Sequence, residues 1–172
     1  MKTRFIINPI SGTGKQNGIE ALISKYYVHS FDIKYTKKQG DARRLSKDAI
    51  SENYNAVIAI GGDGTLNECA SIIINTNILL GIIPCGSGNG FANHIGMNKN
   101  ITKAIKQLNT CSLKYIDSCT LNTIPFINVS GIGFDAHISH LFAKENKRGF
   151  FKYIKLIIQE LSYKARNYNL TY

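Results

Sequence analysis

The chain has 172 residues, 44% of them hydrophobic, and a formal net charge of +10 at pH 7, so it can form one hydrophobic core and part of a second. The basic excess favours a polyanionic partner, such as nucleotide phosphates or an anionic membrane surface. Nucleic acid is disfavoured, because the lysines are scattered along the chain and no recognition motif is present. No apolar run could span a bilayer, and Asn8 and Pro9 interrupt the N-terminus too early for a signal peptide, which predicts a cytoplasmic protein.

The first 110 residues alternate between strand-like and helix-like patterns. The predicted strands are RFIIN, FDIKYT, AVIAI and ILLGIIP. The predicted helices are NGIEALISKYY, DARRLSKDAISE, LNECASIII, a short helix through Phe91 and His94, and ITKAIKQL. Asp41, Thr65 and Thr102 are the predicted caps of three of these helices. This alternation predicts an α/β fold with a doubly wound, mainly parallel sheet and ligand loops at the carboxyl ends of its strands.

The pattern changes near residue 112. Residues 113–122 and 126–130 are predicted strands joined by a turn at Asn122 and Thr123. KRGFFKYIKLIIQELSYKA then predicts a basic, aromatic-rich helix, and NYNLTY predicts the start of another strand. We therefore expect an α/β domain over residues 1–111 and the truncated beginning of a β-rich domain over residues 112–172.

The stretch IGGDGTLNE, residues 60–68, lies at a predicted strand-to-helix turn. Gly61, Gly62 and Gly64 allow backbone N–H groups to approach a ligand closely, and a helix N-terminus favours negative charge. This pattern predicts a phosphate cradle with Asp63 beside it. Such a carboxylate can orient a metal ion or accept a proton from an attacking hydroxyl. The simpler alternative is a tight glycine turn with a solvated aspartate.

Two further glycine-rich loops follow predicted strands. NPISGTGK, residues 8–15, resembles a Walker A loop but has Pro9 and Gln16 where that motif needs glycine and Ser or Thr. The loop could still cover phosphates through Asn8, Ser11, Gly12, Thr13 and Lys15. PCGSGNGF, residues 84–91, does not have the glycine spacing of the dinucleotide-binding fingerprint. GIGFDA, residues 131–136, has that spacing but lacks the acidic residue expected about 20 residues later. Because the loops at 8–15, 61–68 and 84–91 converge on one edge of the sheet, together they predict a nucleotide site.

The motifs NPISG, GGDGTLNE and PCGSGN, in this order, resemble those of the diacylglycerol kinase catalytic domain family of lipid kinases, which includes the sphingosine kinases. The resemblance implies an α/β nucleotide domain like that of NAD kinases and phosphofructokinases, followed by a β-sandwich that helps to hold the lipid. It implies transfer of the ATP γ-phosphate, with Mg²⁺, to a hydroxyl of diacylglycerol or a sphingoid-type lipid. It also implies a cytoplasmic protein that associates peripherally with the membrane.

Carried over by position, the resemblance implies a set of nucleotide-contacting residues. They are Asn8, Pro9, Ile10, Ser11, Gly12, Thr36, Gly62, Asp63, Gly64, Thr65, Leu66, Asn67, Glu68 and Ser87. Asp63 is also the expected catalytic residue, and Asp63 and Asp117 are the expected metal ligands.

Two features depart from the family pattern. Gly90 stands where bacterial diacylglycerol kinases have the aspartate of a GTxND sequence, and the late DGE-type motif, whose glutamate is the proposed general base, is absent from these 172 residues. We therefore expect this chain alone to bind nucleotide weakly and to transfer no phosphate. Unpaired edges of the second domain would also favour association with another copy of the chain.

Two other functions remain open from the sequence. A kinase of a soluble metabolite, similar to NAD kinase, would share the GGDG turn, and a non-catalytic nucleotide-binding module would need no C-terminal base. The basic helix after Lys144 and the loop at residues 84–91 favour the lipid kinase.

Overall fold

The computed structural model describes residues 1–12, 16, 18–144, 150–164 and 167–169. The chain forms two compact units, Met1–Asn128 and Val129–Tyr172. The domain boundary expected at residue 111 stays a prediction. Thr13, Lys15 and the last residues of the strand expected in NYNLTY lie outside the described residues, and residues 167–169 belong to no strand.

The first unit is built on a parallel four-stranded sheet. Its strands are β1 (Lys2–Ile7), β2 (Ser30–Tyr35), β3 (Ala56–Gly61) and β4 (Leu79–Pro84), arranged in the order β2-β1-β3-β4. All three strand pairs are parallel, which confirms the predicted α/β fold. The order reverses between β1 and β3. In such sheets the usual ligand position is the crevice outside the carboxyl ends of the strands at this reversal point.

Among the described residues, five helices accompany this sheet: α1 (Ile19–Tyr26), α2 (Asp41–Ser51), α3 (Asp63–Ile73), α4 (Gly90–His94) and α5 (Ile101–Leu108). Helix α1 packs against α5, and α2 packs against α3. Right-handed crossovers place these two pairs on opposite faces of the sheet. Strand β3 is buried along its whole length, which explains its continuously apolar sequence. Strand β1 is buried from its second residue, although its first half consists of Lys2, Thr3 and Arg4.

A buried ion pair joins the first two strands at the end opposite the crevice. Arg4 is 2% exposed, and its Nη2 lies 3.0 Å from Oδ2 of Asp32 and 2.9 Å from Oε2 of Glu52. Its guanidinium also lies 4.2 Å from the ring centre of Tyr54. Burial lowers the pKa of Arg4, but the hydrogen bonds to Asp32 and Glu52 outweigh burial and raise it overall. Arg4 and Asp32 are also direct partners in the strand register.

Two of the predicted helix caps have other partners. Asp41 is the first residue of α2, and its Oδ2 accepts hydrogen bonds from the backbone N–H groups of Lys37 and Lys38 at 2.8 and 3.2 Å. It therefore shapes the preceding loop. Thr65 lies inside α3, and its hydroxyl accepts a hydrogen bond from Nδ2 of Asn8 at 3.0 Å. The prediction of Asp41 and Thr65 as caps was wrong because both side chains find partners outside their own helix.

The hairpin expected after residue 112 is present but short. Strands β5 (Cys119–Leu121) and β6 (Ile124–Phe126) pair antiparallel around Asn122 and Thr123, which have φ values of 48° and 69°. Two positive values are typical of a type I′ hairpin turn, so the predicted turn is confirmed. The strand predicted over 113–122 was too long, and the strand predicted over 126–130 was displaced and shares only Phe126 with β6. Within the described residues no further strand pairs with 113–118 or 127–130.

In the part of the second unit that the structure describes, two helices pack together, α6 (Phe134–Lys144) and α7 (Phe150–Gln159). Helix α7 confirms the central part of the predicted basic helix, whereas residues 145–149 lie outside the described residues. Helix α6 was not predicted. No helix among the described residues is both long and apolar enough to cross a membrane.

Helix α5 provides a test of the cap assignment. The sequence pointed to Thr102, but the side chain of Asn100 accepts the hydrogen bond from the Lys103 N–H, at 3.1 Å. Asn100→Ala should therefore lower the free energy of unfolding by about 1 kcal/mol. Thr102→Ala is the matched control and should change it by less than about 0.5 kcal/mol, measured by urea denaturation. Equal losses in the two variants would contradict the assignment.

Candidate nucleotide site

The loops that follow the four strands begin at the same level of the sheet. In the strand register Ile7 lies opposite Tyr35 and Ile60, and Ile60 lies opposite Ile83. We call the connections the first loop (residues 8–18), the second loop (36–40), the third loop (Gly62) and the fourth loop (85–89). This alignment brings all four to one edge of the sheet.

Two backbone contacts tie three of the loops together. Gly12 has a φ of 67°, and a Cβ atom at this position would overlap the carbonyl oxygen of Cys85. A Cβ on Gly86 would lie 2.6 Å from the Cα of Gly62. The first and third loops therefore both approach the fourth so closely that no side chain fits between them.

The first loop folds around two polar side chains. Asn8 donates from Nδ2 to the Thr65 hydroxyl and accepts from the Ile10 N–H through Oδ1 at 3.2 Å. Gln16 is 7% exposed, and its Nε2 donates to the carbonyl oxygens of Asn8 at 3.1 Å and Ser11 at 2.6 Å. Its Oε1 is buried with no hydrogen-bond partner among the described residues. Sequence reasoning gave Gln16 no structural role, because it compared this residue only with the Walker A pattern.

Asp63 links the third loop to helix α4. Its Oδ2 accepts from the N–H of Gly90, and its Oδ1 accepts from the N–H of Phe91, both at 3.0 Å. The carboxylate thus takes the place of a capping side chain for α4. Each carboxylate oxygen keeps a second lone pair, and the residue is partly exposed. Asp63 can therefore hold the fourth loop and still face a ligand.

Helix α3, which Asp63 begins, has no side-chain cap. The residue before it is Gly62, and no side chain among the described residues accepts a hydrogen bond there. The first N–H groups of a helix lack acceptors within the helix, so those of Asp63, Gly64 and Thr65 remain available to an anion. Gly64 is exposed, and a Cβ at this position would meet no atom within 4 Å. This helix end has the open, amide-rich surface that phosphate groups bind.

The last residues of the GGDGTLNE motif contact neighbouring elements. Both carboxylate oxygens of Glu68 accept from the Gly40 N–H, at 3.0 and 3.1 Å, which ties α3 to the second loop. Asn67 donates from Nδ2 to the carbonyl oxygen of Pro125 at 3.4 Å, which ties α3 to strand β6. Leu66 is buried in the core. Among the described residues, the side chains of these three predicted nucleotide contacts therefore have identified structural partners.

The fourth loop is shaped by Asn89, which has a φ of 56°. Its side chain accepts from the Gly86 N–H at 2.8 Å and donates to the Gly86 carbonyl at 2.7 Å. Ser87 lies at the exposed tip of the loop. In the second loop Thr36 is buried, and its N–H donates to the Ile7 carbonyl oxygen at 2.9 Å.

Two nearby groups have shifted acidity. The hydrogen bond from the Lys37 N–H lowers the pKa of the Asp41 carboxyl below its usual range, so it stays ionised beside the second loop. Burial raises the pKa of the Cys69 thiol to about 12. Cys69, inside α3, is therefore a neutral core residue and not a nucleophile.

The described residues do not form a resident metal site. No group of three or more His, Cys, Asp or Glu side chains among them could hold an ion. Asp117, one of the two predicted ligands, is exposed in a segment without secondary structure. Mg²⁺ in phosphoryl-transfer enzymes is commonly held by one or two carboxylates together with substrate phosphates. Asp63 fits this second kind of site, in which the cation arrives with a nucleotide.

Comparison with known proteins agrees with this architecture. The family model of the diacylglycerol kinase catalytic domain matches residues 2–121, so the chain belongs to this family of α/β kinase domains. It is 30% identical over 138 residues to the diacylglycerol kinase of Bacillus subtilis strain 168, covering 77% of this chain and 46% of that protein. A crystal structure of a diacylglycerol kinase from Bacillus anthracis strain Sterne superposes with a TM-score of 0.62 and 30% identity, covering 73% of this chain and 47% of that one.

The family assignment confirms the resemblance seen in the three motifs. The chain spans about half the length of the curated relatives that it matches. The nucleotide contacts and the catalytic and metal roles assigned from the sequence stay predictions.

The contact between the first and fourth loops can be tested with a pair of glycines. Gly12→Ala and Gly18→Ala both place a side chain at a positive φ, 67° and 76°, which costs about 1–2 kcal/mol. Only the new Cβ at position 12 would meet the Cys85 carbonyl, whereas position 18 is open. Gly12→Ala should therefore lose at least about 2 kcal/mol more in urea denaturation than Gly18→Ala. Equal losses would show that the loops move apart freely.

Proposed function

We propose that this chain is the nucleotide-binding part of an ATP-dependent lipid kinase. The reaction transfers the γ-phosphate to a hydroxyl of a diacylglycerol or a sphingoid-type lipid. One observation carries the proposal: Asp63 lies where glycine loops meet backbone to backbone, at the reversal point of a parallel sheet, beside an uncapped helix N-terminus. The relatives' additional length would supply the rest of the lipid site.

The α3 N-terminus would hold the phosphate groups of the nucleotide. The amides of Asp63, Gly64 and Thr65 donate to phosphate oxygens, and the first and fourth loops cover the chain of phosphates. Thr65 is itself fixed by Asn8 of the first loop, so the cradle is preorganised before nucleotide binds. Bound Mg²⁺ would neutralise part of the phosphate charge.

Asp63 would orient the acceptor hydroxyl and take its proton. The hydroxyl oxygen then bonds to the γ-phosphorus as the bond from phosphorus to the β–γ bridging oxygen breaks and ADP leaves. The two N–H donors from α4 hold the carboxylate in a fixed direction, which favours this role.

The same two hydrogen bonds favour a second candidate, a nucleotide-binding module without catalysis. Both oxygens of Asp63 are already engaged by α4, as they would be if the residue were purely structural. The two candidates predict different effects on phosphoryl transfer and on folding when the charge of Asp63 is removed.

Asp63→Asn in the full-length protein should lower phosphoryl transfer at least 100-fold while ATP affinity changes less than about tenfold. The charge acts mainly on the transition state, and the loop amides hold the ground-state phosphates. Transfer is measured with labelled ATP and a lipid panel, binding by calorimetry, and folding by the melting temperature. Asp48→Asn, at an exposed position on α2, is the matched control. Full activity of Asp63→Asn would contradict the catalytic role, and parallel loss of binding and folding would favour the structural candidate.

We further propose that helix α7 docks on an anionic membrane. Ile154 and Ile158 lie four residues apart on one face of α7 and are 37% and 62% exposed. Leu161, two residues beyond the end of α7, is 72% exposed. Lys155 and Lys164 are exposed nearby. An exposed apolar stripe beside lysines is typical of a helix that lies in the membrane interface.

Lys155→Glu should weaken binding of the full-length protein to anionic vesicles at least fivefold, because each cation near such a surface contributes about 1 kcal/mol. Lys47→Glu makes the same charge change at an exposed position of α2 and should have a smaller effect. Co-sedimentation with vesicles of increasing anionic lipid content measures the difference. Binding that is independent of anionic lipid and of salt would contradict docking.

A further inference from the structure

Asn128 lies against the start of helix α4. A Cβ atom built on Gly90 would be 3.1 Å from Nδ2 of Asn128 and 3.9 Å from Oδ1 of Asp63. The absence of a side chain at position 90 therefore leaves a narrow space between the Asn128 amide and the Asp63 carboxylate. Sequence analysis missed Asn128, because it is 65 positions from Asp63 and belongs to none of the three loop motifs.

The position of Asn128 depends on the same helix that carries Asp63. Asn67 of α3 holds the carbonyl oxygen of Pro125, at the centre of β6, and the chain reaches Asn128 three residues later. Strand β6 also packs along α3. The side chain of Asn128 is exposed, so it is free to meet a ligand at this edge.

We propose that Asn128 is a phosphate-contacting residue, which distinguishes ATP from ADP by donating a hydrogen bond from its amide to the γ-phosphate. This inference rests on the nucleotide-binding part of the proposed function. If Asp63 orients the acceptor hydroxyl, the transferred phosphoryl group must lie next to Asp63, on the exposed side where the Asn128 amide can reach it. An aspartate at position 90 would place a second negative charge there, whereas an amide offers an N–H donor and no charge. Glycine at position 90 leaves the amide room to take that place.

The test compares affinity for ADP with affinity for a non-hydrolysable ATP analogue, both with Mg²⁺, in the full-length protein. Asn128→Ala should weaken binding of the analogue about three- to tenfold, the value of one hydrogen bond, and change ADP binding less than twofold. Ser130→Ala, a nearby exposed position, is the matched control and should change neither. The melting temperature of each variant is measured alongside.

Gly90→Ala is the second variant, and in it residue 128 remains asparagine. Its methyl group would crowd the Asn128 amide at 3.1 Å, and Gly90 does not have a positive φ, so the backbone accepts alanine. This variant should also lose affinity for the analogue selectively, by a smaller factor. An equal loss of ADP and analogue binding in Asn128→Ala, or no loss, would overturn the inference.

Lipid phosphorylation is measured separately in the unsubstituted protein, so the two proposals fail independently. Selective loss of analogue binding in Asn128→Ala without phosphorylation of any lipid would support the role of Asn128 and refute the lipid kinase. Lipid phosphorylation by the unsubstituted protein together with unchanged analogue binding in Asn128→Ala would support the lipid kinase and refute the role of Asn128. An unsubstituted protein that binds ADP and the analogue equally would also overturn the role of Asn128.

Discussion

The close approach of three loop backbones is the constraint on which the site depends. Gly12 lies against the Cys85 carbonyl, and Gly62 lies against Gly86, so the first and third loops share one surface of the fourth. A side chain at Gly12 or Gly86 would overlap the facing backbone and push the loops apart. The amides at the edge of the sheet are therefore held at fixed distances from one another before any ligand binds, which reduces the entropy lost on binding.

Asp63 combines an architectural contact with a position suited to chemistry. The carboxylate of Asp63 accepts two hydrogen bonds that fix the first turn of α4, and the same two bonds fix the direction of the carboxylate. Each partner therefore restrains the other. Such reciprocal restraint is how a rigid scaffold keeps a reactive group within the small range of angles that catalysis requires.

The sheet was predictable from the sequence because its strands are buried and its loops are rich in glycine. Strand β3 and the last three residues of β1 read as apolar runs, and that pattern depends only on burial. The caps were harder to predict, because the hydroxyl of Thr65 bonds to Asn8, 57 positions away. Position along the chain does not reveal such partners. Gln16 and Asn128 were missed for the same reason, since their environments exist only once the first loop and the hairpin have folded.

The ion pair between Arg4 and Asp32 affects the position of the loops at the carboxyl end of the sheet. The two residues face each other across β1 and β2, and a slip of one position would turn each side chain to the opposite face of the sheet. Removing one of the two carboxylate partners of a buried guanidinium is costly, so we expect the pair to favour the observed alignment of β1 and β2. Asn8 follows Arg4 by four residues, about 13 Å along the strand. A slip in the pairing of β1 and β2 would therefore also displace the first loop, and loss of the ion pair would disfavour such a slip.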